Sequence, residues 1–270
     1  MKSAVTLCRV SEAASGPFVF HDELAIGFEK AAAHGFDAVE LFLPSPDYVT
    51  SGDIRELQKR HQLDIAALGT GAGMVKHGLS LTDGDATVRK NALDFILALV
   101  DLGGALGAPA ILGSMQGKHG PLVDKPRALQ FLAEALAIIS ARAADHGLVF
   151  FYEPLNRYET NLYNRLAPAA AFLEQHGLRH VKLLADLFHM NIEETSLVDS
   201  LTENFTAIGH IHFADSNRQA IGFGHTDPLP ILQTLQRLGY QGYLSAEILP
   251  LPTPDDAAGQ FIRSIRLPTI

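Results

Sequence analysis

Four residues define the chemistry open to this sequence: Glu153 at the end of VFFYE, Asp186 closing VKLLAD, His212 in HIHFAD and Glu247 in YLSAEI. Each ends an apolar, strand-like run. A carboxylate at the end of a buried strand is costly unless something pairs with it. Three carboxylates brought to one point repel and cannot all stay ionised unaided. One divalent cation resolves the conflict. An oxygen-rich set with one imidazole favours Mn2+, then Mg2+ or Co2+, over structural zinc with its thiolates and histidines. Each residue also has a duller role open to it. Glu153 is in reach of Arg157, Asp186 could cap the next turn, His210 or His212 could be a satisfied core histidine, and Glu247 an edge acid.

Those four must be positioned by something regular. Eight strand candidates run through the chain: AVTLCR, DAVELFL, DIAALG, PAILGS, LVFFYE, VKLLAD, IGHIHFAD and GYLSAEI. Helix-period segments alternate with them. DELAIGFEKAAAHG reads as starting on an Asp cap and stopping at Gly35; others stop at Gly107, Gly147 and Gly239, where helices often terminate. Strict alternation implies parallel strands with right-handed crossovers. Eight units in a chain of this length predict an α/β fold, a closed (β/α)8 barrel, as one domain over residues 1–270. An open doubly wound sheet would show a glycine-rich turn after its first strand, and CRVSEAASG is not one. In such barrels the active-site groups sit at the C-terminal strand ends. The last four strands thus deliver Glu, Asp, His and Glu to one rim. Nearby, Glu159 lies in the loop after Glu153, His189 one turn beyond Asp186 if that stretch is helical, and Arg218 after the seventh strand.

The chain has 270 residues, 47% of them hydrophobic, with 23 Gly and 14 Pro, enough for a large core. A net charge of −9 argues against nucleic acid. One cysteine, Cys8, allows no internal disulfide and fits a reducing compartment. The apolar run at the N-terminus is too short for a signal peptide, and none approaches the ~20 residues that span a bilayer. A soluble cytoplasmic protein with no membrane partner is expected.

The motifs EPLNRYETN, DLFHMNIEE, HIHFADSNRQAIGFGH and SAEI resemble the xylose-isomerase-like sugar isomerase and epimerase superfamily, above all its D-tagatose and D-psicose 3-epimerases. The resemblance is best over residues 148 to 250. It implies that Glu153, Asp186, His212 and Glu247 hold the metal, that both glutamates serve as acid and base, and that Glu159, His189 and Arg218 contact a small sugar. It also makes a homodimer or homotetramer plausible. The implied reaction is proton abstraction next to a carbonyl through a metal-stabilised cis-enediolate, on a non-phosphorylated ketose or keto-sugar. A sugar-phosphate or hydroxypyruvate isomerase and an inosose-type dehydratase are alternatives on the same site. An apurinic endonuclease of the superfamily would need extra histidines, for which His77 and His119 are the nearest candidates. The first half departs from the epimerases. After the fourth strand stands GSMQGKHG, offering Gln116, Lys118 and His119 as residues that shape substrate choice.

Overall fold

The computed structural model of the protein describes residues 1–266. Eight strands close into a parallel barrel in chain order: β1 Lys2–Cys8, β2 Ala38–Phe42, β3 Asp64–Gly69, β4 Ala110–Leu112, β5 Phe150–Tyr152, β6 Val181–Asp186, β7 Ile208–His212 and β8 Tyr243–Ala246. β1 pairs with β8 to complete the ring. Among the described residues, ten helices surround it: α1 Leu24–His34, α2 Ser51–His61, α3 Ala72–His77, α4 Ala86–Leu106, α5 Lys125–Asp145, α6 Leu166–Gln175, α7 Leu187–Glu193, α8 Leu197–Glu203, α9 Pro228–Arg237 and α10 Pro254–Ser264. No helix of the described residues is long and apolar enough to cross a membrane.

The eight strands fall where the sequence places them, with β4 and β5 only three residues long. Glu153 and Glu247 stand one residue past their strands, yet Glu153 N–H still donates to Leu112 O at 3.0 Å. Helix starts are largely set by acceptor side chains. Asp85, Asp124, Asp186 and Asp227 each accept a first-turn N–H of the following helix. The expected Asp cap on α1 is not formed. Glu23 stands at that position, its side chain paired with Arg9 and making no capping bond, and both oxygens of Asp22 accept from Lys30 instead, at 2.9 and 2.8 Å.

The main core lies between the barrel wall and the helices and includes Leu7, Phe28, Leu41, Leu136, Phe150 and Phe261. A second, smaller packing fills the barrel. Ala4, Ala38 and Ala66 meet near one end; Ala67, Ile111, Phe151 and Leu184 lie in the middle. The small alanines leave room inside for something bulkier, which proves polar. Two register shifts aim the strands, one between β2 and β3 and one between β6 and β7. In the second, Leu183 pairs with Ile208 while Leu184 pairs with His210, so Gly209 is the extra residue. A bulge of this kind re-aims the side chains beyond it, and here His210 and His212 both end up buried.

Gly103, inside α4, shows where a close approach needs glycine. A Cβ there would lie 2.4 Å from the backbone oxygen of Ala108. Gly103→Ala gains about 1 kcal/mol of helix propensity, but overpacking against fixed backbone costs about 1–3 kcal/mol. The net expectation is a lower urea midpoint with an unchanged slope.

Candidate metal centre and active site

At the C-terminal rim the ligand atoms of Glu153, Asp186, His212 and Glu247 all lie within 4.8 Å of one another, and all four residues are buried. His212 Nδ1 is 3.5 Å from Glu153 Oε1, 3.5 Å from Asp186 Oδ2 and 3.4 Å from Glu247 Oε2. Glu153 Oε1, Asp186 Oδ2 and His212 Nδ1 have no hydrogen-bond partner. Buried polar atoms rarely stay unpaired, and three facing one point form a set that a cation would satisfy. Two atoms sharing an ion at about 2.1 Å stand about 3.0–3.5 Å apart, close to the spacing found. The residues therefore fit a divalent metal.

The duller roles sort themselves out residue by residue. Arg157 does not reach Glu153; it pairs with Glu193 at 2.9 Å. Asp186 does two jobs. Its Oδ1 accepts from Phe188 N–H at 2.7 Å and caps α7, while its Oδ2 is one of the orphaned atoms. His210 is the satisfied core histidine, stacked on Phe151 with centroids 5.1 Å apart.

A residue that sequence reasoning missed explains the tautomer of His212. Glu40, fully buried on β2, accepts from His210 Nε2 at 2.7 Å on one oxygen and from His212 Nε2 at 3.0 Å on the other. With its Nε2–H donated to Glu40, His212 turns Nδ1 toward the three carboxylates, where it can hold either a proton or, in its place, a metal ion. Burial opposes ionisation of Glu40, but the two imidazoles outweigh it and hold the carboxyl well below the usual range. The signal in the sequence was a lone acid in the strand AVELF. Gly113 is a second such residue: a Cβ there would lie 2.8 Å from Glu153 Oε2, so its absence makes space for that carboxylate.

The other groups close around the metal set. Burial, with Glu247 nearby, pushes the Glu153 carboxyl up to about 7. Burial works against Glu247 too, but His212 and Arg218 hold its pKa down. Burial works against a charged His212, and Glu40 and Glu247 more than compensate, raising it well above the usual imidazole value. Arg218 donates to Glu247 at 2.6 Å and lies 3.5 Å from Glu159 and 3.7 Å from Asp186. His189 sits on α7, so the stretch after Asp186 is helical. Asn156 Oδ1 accepts from Tyr158 N–H, which turns its Nδ2 toward His189 Nδ1 at 2.7 Å and Glu159 at 2.9 Å. His189 Nδ1 thus accepts, and Nε2 carries the proton. That Nε2 is unpartnered, 3.7 Å from Glu153 and 3.6 Å from Asp186. Gln116 is not in the cavity. It braces Glu153 from behind, donating to the Glu153 carbonyl at 2.9 Å and accepting from Tyr152. His77 is exposed and His119 lines a neighbouring groove, so neither joins the metal set.

A cavity of about 270 Å3 opens above these groups. Its far wall is apolar and comes from the first half of the chain: Val10, Phe18, Phe42, Val75 and, beside them, Cys8. Phe18 packs on Phe42 with centroids 4.5 Å apart. Burial pushes the Cys8 thiol up to about 11, so it is wall rather than nucleophile.

The loop carrying Arg218 is organised by Asp215. Its carboxylate accepts from the backbone N–H of Ser216, Gly222, Gly224 and Thr226 at 2.7–2.9 Å, and Arg218 itself has a left-handed backbone, φ 62°. Burial disfavours the charged form of Asp215, but those donors prevail and lower its pKa. With the folded pKa depressed, the stabilisation is present above the ordinary value of about 3.9 and is lost as pH falls through the folded one. Amide protection factors at Gly222, Gly224 and Thr226 should therefore hold down to about pH 4 and fall below it. In Asp215→Ala the protection should be gone at neutral pH.

Comparison with known proteins places the chain in a family. The 3-dehydro-D-guloside 4-epimerase of Escherichia coli is 35% identical over 155 residues, 56% of this chain and 59% of the relative, so the match spans less than two thirds of that relative. The L-ribulose 3-epimerase of Mesorhizobium japonicum is 32% identical over 219 residues, covering 79% of this chain and 71% of the relative. The apo crystal structure of E. coli 3-keto-D-glucoside 4-epimerase shares the fold with a TM-score of 0.81, at 22% identity over 98% of this chain and 99% of that one. The family model described as a xylose isomerase-like TIM barrel matches residues 28–266. The barrel, the rim and the relatives agree: the chain belongs to the xylose isomerase-like TIM barrel family.

Proposed function

We propose that the protein is a divalent-metal-dependent epimerase of an uncharged keto-sugar, acting by proton abstraction beside the carbonyl. The observation that carries this reading is the convergence of three unpartnered buried ligand atoms, with Glu153 and Glu247 3.5 and 3.4 Å from His212 Nδ1. A divalent ion held by Glu153, Asp186, His212 and Glu247, Mn2+ first among candidates, supplies Lewis-acid stabilisation of the charge that develops on the sugar oxygens.

The side chains do the rest. Glu153 and Glu247 face the reacting carbon from opposite sides; one removes its proton and the other delivers one to the other face, inverting the centre. The His189 Nε2–H is free to donate to a sugar oxygen, and Glu159 and Arg218 hold hydroxyls at the mouth. The apolar wall of Val10, Phe18 and Phe42 keeps water from the C–H face. The cavity falls just below the ~300–1,000 Å3 typical for drug-sized ligands, a size for one sugar unit.

Charge supports an unphosphorylated substrate. Among the described residues, Arg218 is the one guanidinium or ammonium lining the cavity, and Glu247 already engages it. Lys118 is outside, donating to the backbone oxygen of Tyr158. The substrates in the relatives' names, a dehydro-guloside, L-ribulose and D-psicose, are also uncharged.

Incubation with Mn2+ in D2O and a panel of ketoses, keto-glycosides and sugar phosphates tests the reading. An uncharged keto-sugar should take up one deuterium and change configuration at that carbon. Loss of water from the product would make the enzyme a dehydratase instead, and uptake by phosphates alone would overturn the substrate class.

A further inference from the structure

We infer that the substrate is a glycoside whose non-reacting part, a second sugar unit, lies in an open groove beside the catalytic cavity. The inference rests on the epimerase reading and extends it to the rest of the substrate molecule. The groove, about 590 Å3, lies between the segment leading into α4, the loop after β4 and the loop after β5. Ser114 and Glu159 line both the groove and the cavity. A molecule with its reacting ring over Glu153 and Glu247 therefore meets the groove as soon as it extends past Glu159.

The lining has the two faces that a sugar ring needs. Met74, Leu122 and Tyr158 are large apolar side chains left 41%, 94% and 75% exposed, and all three border the groove. Exposed apolar side chains gathered at one concave place mark a binding surface more often than scattered ones do. They suit the C–H face of a pyranose, which stacks on aromatic and aliphatic groups. Ser80, Asp83 and Lys118 add hydroxyl, carboxylate and ammonium groups at the same place, matching a ring's hydroxyl edge. Both signs of charge occur there, so the groove is not an anion site.

The walls are fixed to each other before anything binds. Asn161 Oδ1 accepts from His119 N–H at 2.9 Å and its Nδ2 donates to His119 O at 3.0 Å. Thr160 Oγ1 donates to Gly117 O at 2.8 Å and Lys118 Nζ to Tyr158 O at 3.2 Å. These bonds tie the loop after β4 to the loop that bears Glu159. An occupant of the groove thus presses on the segment holding a residue of the reaction cavity. Binding energy from non-reacting parts of a substrate is used in this way at the reacting centre, and truncated substrates lose turnover as well as affinity.

The test compares methyl 3-keto-glucoside with two disaccharides bearing the 3-keto group on one ring, one α-linked and one β-linked. Deuterium uptake from D2O is followed with the Mn2+-loaded protein. At least one disaccharide should show kcat/KM about tenfold or more above the methyl glycoside. In Leu122→Ser and Tyr158→Ser that ratio should fall to within about twofold of one. Leu122 is almost wholly exposed, so its variant tests the groove without disturbing the fold. A ratio near one for both disaccharides, or a ratio the variants leave unchanged, overturns the inference while the epimerase reading stands. No uptake from any of the three while a free ketose takes up deuterium overturns the inference and leaves the epimerase reading standing; no uptake from the glycosides or from any free ketose overturns both.

Discussion

Glu153→Gln should cut deuterium exchange and epimerisation about a thousandfold or more. Glutamine keeps the shape of the side chain and a neutral oxygen where Oε1 stands, but it cannot take a proton. General acid–base catalysis contributes roughly 10²–10⁴-fold, and a carboxylate lost from the metal set adds to that. Glu247→Gln should be equally damaging, and it also removes the charge that Arg218 pairs with at 2.6 Å. The two effects separate by experiment. Bound Mn2+ is measured by electron paramagnetic resonance alongside turnover at saturating metal. Activity still missing when the ion is fully bound identifies the proton-transfer role. Turnover restored to within about tenfold by excess Mn2+ would mean that these glutamates are ligands only, and the two-base reading would fail.

Glu40→Gln, by contrast, should act through the metal. Glu40 touches neither cavity nor substrate; it fixes His212 by taking its Nε2–H and takes that of His210 as well. A glutamine has one acceptor oxygen and one amide donor, so one imidazole N–H would face another donor. Leaving a buried donor unpaired costs about 1–3 kcal/mol, and losing the group that orients a metal-binding histidine typically weakens the site 10–100-fold. The expected result is an Mn2+ Kd raised by that factor, a lower thermal midpoint, and kcat largely recovered at saturating Mn2+. An unchanged Kd would show that His212 needs no such support.

How far the sequence reveals these features follows from their range. Runs such as VKLLAD and DIAALG are legible because a parallel strand buried on both faces reads as one apolar stretch, and both strands have the expected bounds. Asp186 and His212 end their strands, so their place on the rim follows from the strand alone. Glu40 does not, because its meaning lies in its distance to two histidines 170 and 172 residues away. Gly209 looks like any strand glycine until the register of β6 and β7 shows it to be the extra residue. Gln116 was misjudged for a related reason. Its loop suggested substrate choice, but a buried amide goes where its hydrogen bonds are, behind Glu153. Arg157 and Arg218 sit in equally polar loops; only the fold shows that one pairs with Glu193 and the other with Glu247.

Asp186 has one oxygen committed to starting a helix and the other to the point where the acids converge. The helix it starts brings His189 to the same spot. On the proposed reading, ion grip and sugar grip are therefore hinged on a single carboxyl group, and neither could be retuned by evolution or by an engineer without moving the other.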